Sequence, residues 1–180
     1  MGFPKALLRY QGATFLDTLV RLFGERCSKV IVVLGAHADR IRGGTSQACE
    51  FVLNPDFARG MTTSLQCGLR ALPPSAGGVL FTLVDHPAVA PATLDALLRD
   101  EGDSAAPLLR VPRYQGRRGH PIWFSHDLIP EFLAIPESGA ARDVVRAHAC
   151  ETHFLDIEDP GIVADIDDLD AYRRLTGVPA

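Results

Sequence analysis

Lysine is nearly absent from this 180-residue chain: Lys5 and Lys29 are its only two, and the rest of its 18 basic residues are arginine. No apolar run approaches the roughly 18 residues a membrane helix needs, and the first twelve residues (MGFPKALLRYQG) have neither the charged start nor the long apolar stretch of a secretory signal. A cytoplasmic protein with no membrane partner is the expectation. The four cysteines, Cys27, Cys49, Cys67 and Cys150, are far apart and form no Cys-x-x-Cys pair. Such spacing suits free thiols in a reducing compartment better than a disulfide frame or a zinc site. Several chemistries are missing outright. There is no His-Glu-x-x-His helix, no Gly-x-x-x-x-Gly-Lys-Ser/Thr loop and no Gly-x-Ser-x-Gly elbow. Gly35-Ala36-His37 and Gly43-Gly44-Thr45 do not make a dinucleotide-binding fingerprint.

Hydrophobic residues make up 47% and charged residues 22%, the balance of a globular chain rather than a disordered one. The length fits one domain spanning 1–180. Net charge is −4, but its distribution says more. Arg110, Arg113, Arg117 and Arg118 crowd one segment, while residues 156–170 hold seven acids and no Lys or Arg. A basic face for nucleic acid is therefore not expected, whereas a local anion site opposite a local cation site is.

Short apolar runs alternate with helical patterns. Residues 29–34 (KVIVVL) and 78–84 (GVLFTLV) read as strands buried on both faces of a parallel sheet. Shorter strands are expected at 50–53, 108–114, 120–124 and 152–157. Helices are expected at 13–23, 62–72, 91–99, 127–133, 140–147 and 168–175, with Pro91 suited to a first turn. This alternation predicts an α/β layered domain, a mostly parallel sheet with one antiparallel strand from the late pair. Ligands of such sheets bind beyond the carboxyl ends of the strands.

Asp85-His86-Pro87 follows one buried strand. Asp85 is placed either to hold a hard cation such as Mg²⁺, which takes one or two carboxylates with phosphate oxygens and water, or to cap the helix near Pro91. In Val163-Ala164-Asp165-Ile166-Asp167-Asp168, alternation puts Asp165 and Asp167 on one side and Ile166 on the other. Asp168 falls at the N-cap of the last helix, and the whole run also reads as a solvated cap. On the anion side, Lys5 could neutralise a phosphate. The segment 54–64 (NPDFARGMTTS) enters a helix with Asn54, Gly60, Thr63 and Ser64, an anion site or an ordinary capped helix. Arg117-Arg118-Gly119-His120-Pro121 places a histidine in a turn, a position more often structural than catalytic.

Taken together, these segments resemble the MobA-like nucleotidyltransferases, most closely their molybdenum cofactor cytidylyltransferase branch. The matching residues are Met1-Gly2-Phe3-Pro4-Lys5-Ala6-Leu7-Leu8, Val30 to Gly35, Asn54-Pro55-Asp56-Phe57-Ala58-Arg59-Gly60-Met61 with Thr63-Ser64-Leu65, Gly68-Leu69, Val84-Asp85-His86-Pro87, Arg118-Gly119-His120-Pro121 and Asp165-Ile166-Asp167. The resemblance implies the three-layer, Rossmann-like fold of nucleotide-diphospho-sugar transferases. It implies Asp85 and Asp167 as Mg²⁺ ligands and Lys5 on the triphosphate. Residues Asn54, Gly60, Thr63, Ser64, His86, Pro87, Gly119 and His120 would bind nucleotide or line the substrate cleft. The implied reaction moves CMP from CTP, or GMP from GTP, to a molybdopterin-type phosphate and releases pyrophosphate. The alternatives are transfer to a sugar phosphate or other small phosphorylated metabolite, and a non-catalytic accessory protein that binds the cofactor or a partner molybdoenzyme.

Three departures from the family pattern stand out. Family members begin with a strand and a Leu-Ala-Ala-Gly loop before Arg-Met-Gly, and this sequence starts at that Met. The natural protein is therefore expected to be some 15–25 residues longer, and the 180-residue chain to be weakly active or inactive. His86 stands where Gln is commoner, and residues 137–142 (ESGAAR) where a Gly-Asp before the helix start is usual.

Overall fold

A computed structural model describes residues 3–99, 107–136 and 138–177; Met1, Gly2 and Glu137 of the segments above lie outside them. In chain order the elements are β1 (Arg9–Tyr10), β2 (Ala13–Thr14), α1 (Phe15–Gly24), β3 (Ile31–Leu34), α2 (Ala38–Gly43), β4 (Glu50–Leu53), α3 (Met61–Arg70) and β5 (Gly78–Phe81). Then follow α4 (Pro91–Leu98), β6 (Leu109–Tyr114), β7 (Arg117–Arg118), β8 (Ile122–Ser125), α5 (Ile129–Leu133), α6 (Ala141–Ala147), β9 (Thr152–Asp156) and α7 (Leu169–Thr176).

β3 and β4 pair in parallel, as do β6 and β9. β8 runs antiparallel between β5 and β6, the antiparallel member the late strand pair predicted. Helices cover both faces, and alternation along β6 shows how. Leu109 joins Leu65, Leu69, Phe124 and Phe132 in the cluster under α3, α5 and α6. Its neighbour Arg110 points the other way and donates from its guanidinium to the Leu97 carbonyl of α4, at 2.9 Å. A second cluster sets Leu19, Leu22 and Phe23 of α1 against Leu94 of α4 and Ile162. This is the expected three-layer α/β architecture.

The elements differ from the sequence reading mainly at their ends. Residues 82–84 leave β5 as irregular backbone. α1 begins at Phe15 because Thr14 caps it, its side chain accepting from Asp17 N–H at 3.0 Å. α2 was not foreseen: six residues with Ile41 as its single buried side chain give no helical periodicity to read. All four cysteines are free, and burial pushes the Cys27 and Cys49 thiols up. Among the described residues no helix is long and apolar enough to cross a membrane.

The arginine-rich segment is not an open anion site. Arg110 is buried and stacks over Trp123, 4.4 Å from its ring centre. Arg113 grips Asp156 with both arms of its guanidinium, at 3.0 and 2.8 Å, and Arg113 and Arg118 both lie over Phe154. In a strand, guanidinium groups that find carboxylates and rings next door are spent on packing.

Two polar joints hold the helical layers, and each gives a prediction. Asp17 is buried and accepts from Ser46 N–H at 2.9 Å, Ser46 Oγ at 3.0 Å and Gln47 N–H at 3.2 Å. Burial pushes its carboxyl up, but these hydrogen bonds prevail and hold it below the usual range. Asp17→Ala should cost about 1.5–3 kcal/mol, a fall of roughly 4–10 °C in melting temperature. A lowered carboxyl stabilises above its unfolded value and stops doing so as pH falls through the folded one, so the gap should close in acid. His148 sits between Glu151 (Nδ1, 2.7 Å) and Glu131 (Nε2, 2.8 Å), and the hydrogen bond with Glu131, then that with Glu151, raises its pKa. This increment is full below the ordinary value of 6.5 and lost as pH rises through the folded value. His148→Gln should lower the melting temperature at pH 5.5 by a degree or two, since exposed pairs are worth about 1 kcal/mol or less, and leave it unchanged near pH 9.

Candidate active site

The chain leaves β5 toward Asp85, and two other segments close over that exit. Ile166, buried at 2% exposure, donates its N–H to the Asp85 carbonyl at 3.0 Å. His120 N–H donates to the Ile162 carbonyl at 2.9 Å. Only glycine fits before it: a Cβ on Gly119 would lie 2.3 Å from the Ile162 oxygen. The turn 119–121, the turn 85–87 and the strip 162–167 therefore form one surface. With Ile166 pointing inward, its neighbours Asp165 and Asp167 are turned out, as alternation predicted.

Lys5 reaches this surface from the one-turn 3₁₀ helix Lys5–Leu7, anchored by buried Ala6. Its ammonium donates to Asp167 Oδ1 at 2.6 Å and stands 3.7 Å from Asp85 Oδ2. The two carboxylates are thus one ammonium apart. The hydrogen bond from Lys5, then its charge, holds the Asp167 carboxyl below the usual range. Asp85 Oδ1 is buried with no hydrogen-bond partner, and the His86 Nε2 is 3.7 Å from it.

The capping reading of Asp85 is overturned. The N-terminus of α4 belongs to Asp159, which is buried and accepts from Ala90 N–H at 2.8 Å and Thr93 Oγ1 at 2.6 Å, while its other oxygen takes Gly161 N–H at 2.9 Å. Sequence reasoning missed Asp159. The signal was Asp-Pro-Gly, a turn that frees a side-chain oxygen for backbone donors. Asp168 caps α7 as expected, accepting from Ala171 N–H at 2.7 Å.

The histidines form a stacked pair, His86 on His120, ring centres 5.0 Å apart. Burial, then the neighbouring His86, pushes His120 down to about 4 against the opposing pull of Asp85 and Asp165. The ring is neutral at pH 7 and can serve as a hydrogen-bonding wall but not as a cation. His86, Pro87 and Gly119 are buried, so in this conformation they shape the cleft from behind.

The segment 54–64 is held by its own polar groups. Buried Asn54 donates to Thr63 Oγ1 at 2.9 Å and Ser64 Oγ at 3.0 Å, and its Oδ1 accepts from Asp56 N–H. The Thr63 hydroxyl donates to the Gly60 carbonyl at 2.8 Å. These side chains therefore pin the entry to α3 rather than wait for an anion. No side chain caps α3, and Gly60, at φ +113°, makes the turn into it. Phe57 lies against Gly35 at the end of β3, so close that a Cβ on Gly35 would overlap its ring.

Chemically, the Lys5–Asp85–Asp167 cluster sets one ammonium against two carboxylates. Two carboxylates, one with an orphaned buried oxygen, suit a hard divalent cation that completes its shell with phosphate oxygens and water. Among the described residues no group of three or more His, Cys, Asp or Glu could hold a metal ion, so two carboxylates would leave most of the shell to other oxygens.

The chain is similar to several known proteins. Escherichia coli K12 molybdenum cofactor cytidylyltransferase is 26% identical over 179 residues, covering 96% of this chain and 86% of that protein. A bifunctional IPC transferase and DIPP synthase of Rubrobacter xylanophilus is 33% identical over 118 residues, 63% of this chain but 26% of that protein. The crystal structure of Rv0371c from Mycobacterium tuberculosis H37Rv superposes with a TM-score of 0.83 at 28% identity, covering 98% of this chain and 90% of that one. A manganese complex of the same protein gives 0.79 at 29% identity, over 98% and 92%. The MobA-like NTP transferase domain matches residues 1–152, and with most of its length accounted for in this way, the chain belongs to that nucleotidyltransferase family.

Proposed function

We propose that the protein is a cytoplasmic, Mg²⁺-dependent nucleotidyltransferase that moves CMP from CTP, with GMP from GTP as the alternative donor pair, onto a molybdopterin-type phosphate. The observation that carries this reading is the ammonium of Lys5 bridging Asp85 and Asp167. The resemblance of the whole chain to the E. coli molybdenum cofactor cytidylyltransferase supports the acceptor, and the manganese complex of a 29% identical protein supports a divalent ion.

In this reaction an oxygen of the acceptor phosphate attacks the α-phosphorus of the nucleotide. The bond from that phosphorus to the β-phosphate oxygen breaks, and pyrophosphate leaves. No side chain need be a nucleophile, because the attacking atom belongs to the substrate; the protein's task is alignment and positive charge. Asp85 and Asp167 would hold a Mg²⁺ ion, which would supply charge neutralisation at the phosphates. Lys5 adds a second cation, one a triphosphate oxygen can draw away from Asp167. The uncapped first turn of α3, held by Asn54, offers backbone N–H groups to an anion. The paired rings of His86 and His120 back Asp85 and shield its buried oxygen.

A second reading keeps the chemistry and changes the acceptor to another small phosphorylated molecule; the partial match to the IPC transferase and DIPP synthase favours it. Turnover of labelled CTP and GTP against molybdopterin-type and sugar phosphates, followed as pyrophosphate release, separates the two.

Asp85→Asn should reduce kcat by about 10²–10³ while leaving the melting temperature within a degree or two. An unchanged rate would overturn the assignment. Chelation with EDTA should abolish pyrophosphate release, and added Mg²⁺ or Mn²⁺ should restore it; turnover that persists in EDTA would remove the metal from the scheme.

A further inference from the structure

The two aspartates of the cluster are held very differently. Asp167 takes a full hydrogen bond from the Lys5 ammonium at 2.6 Å. Asp85 receives none on either oxygen from the described residues. Its Oδ2 faces that ammonium at 3.7 Å, and its Oδ1 faces His86 Nε2 at the same 3.7 Å. Both distances exceed the roughly 3.2 Å at which an N–H donor is engaged. The main chain beneath is pinned, because Ile166 donates its N–H to the Asp85 carbonyl at 3.0 Å. What is left free to turn is the carboxylate itself, about a terminal torsion that is broad and soft.

Behind that carboxylate, His86 is fixed in place. The residue is 5% exposed, and its ring packs on His120 with centres 5.0 Å apart. His120 is braced in turn by the edge of Phe81, ring centres 6.1 Å apart, and by its own N–H on the Ile162 carbonyl. Two buried atoms of this corner have no hydrogen-bond partner: Asp85 Oδ1 and His86 Nδ1. The ring atom that faces Oδ1 is the other nitrogen, Nε2. Electrostatics decides where the ring carries hydrogen. A bare Nε2 would set its lone pair against a carboxylate oxygen, whereas a hydrogen on Nε2 offers that oxygen a donor.

We propose that His86 is a positioning residue for Asp85: its Nε2–H takes Oδ1 from behind and turns Oδ2 outward, toward a divalent cation at the phosphates. This rests on the reading of Asp85 as a ligand of that cation. His86 itself is buried and acts through Asp85 alone. A carboxylate that binds a metal ion is usually held by a hydrogen bond on its far side, and loss of such a partner costs about 10–100-fold in metal affinity. Lys5 and His86 are thus rival donors on the two oxygens of Asp85. With Lys5 bonded to Asp167, the carboxylate hangs midway between them.

The test is Mn²⁺ binding in the presence of α,β-methylene CTP, whose α–β bridge cannot be cleaved, followed by the electron spin resonance of the free ion. His86→Leu keeps the bulk and removes the donor, and should weaken Mn²⁺ binding by ~10-fold or more. His86→Gln supplies an N–H again and should recover most of that loss. In a chain already carrying Asp85→Asn, adding His86→Leu should cost nothing further. Unchanged Mn²⁺ binding in Asp85→Asn alone would remove the metal assignment beneath the proposal. Weakened binding there, with full binding kept in His86→Leu or no recovery in His86→Gln, would overturn the role of His86 by itself. Should His86→Leu fail to fold, the unaltered chain decides. In the nitrogen spectrum of histidine-labelled protein, His86 should carry a hydrogen on Nε2, at a resonance that moves in Asp85→Asn. A bare Nε2, or a resonance indifferent to that substitution, would overturn the proposal as well.

Discussion

A single ammonium group between two carboxylates organises the mouth of this sheet. Without Lys5, Asp85 and Asp167 would be like charges at close quarters, one of them with a buried oxygen that no donor satisfies. A buried, unpartnered carboxylate oxygen is costly. The rest of the site follows from bringing these groups together. The Ile166 bond to Asp85 carries in the strip bearing Asp167, and the bare backbone of Gly119 lets the His120 turn settle on Ile162.

Several charges elsewhere on the molecule are neutralised in place. Arg113 is matched by Asp156, Arg26 by Asp95 and Glu25, and Lys29 by Glu50. These pairs are partly exposed and worth little each. The Lys5 cluster differs because its three members come from the two ends and the middle of the chain.

How much of this could be read in advance depended on whether the signal was local. The strands of β3 and β5 were legible because a run such as Val30-Ile31-Val32-Val33-Leu34 has few alternatives, and the outward turn of Asp165 and Asp167 followed from the apolar residue between them. Asp168 was legible as a cap from its neighbours alone. What failed needed three dimensions. Nothing along the chain says that Arg110 lies on Trp123, that Asn54 consumes the hydroxyls of Thr63 and Ser64, or that α4 takes its cap from Asp159, far away in sequence. α2 escaped because one buried isoleucine is no pattern. The order of motifs identified the family where single motifs could not, but the pairing of Lys5 with both aspartates is a fact of folding.

Asp159 has a mechanical meaning beyond the helix it caps. One of its oxygens holds the start of α4 and the other the turn at Gly161, whose own bare backbone lies too close to Ala88 to admit a side chain. The acidic strip is thereby riveted to the scaffold only a few residues before Asp167. Beyond that rivet the strip is pinned once more by the Ile166 N–H on the Asp85 carbonyl, so backbone, not the ammonium between them, fixes how far apart the two aspartates stand.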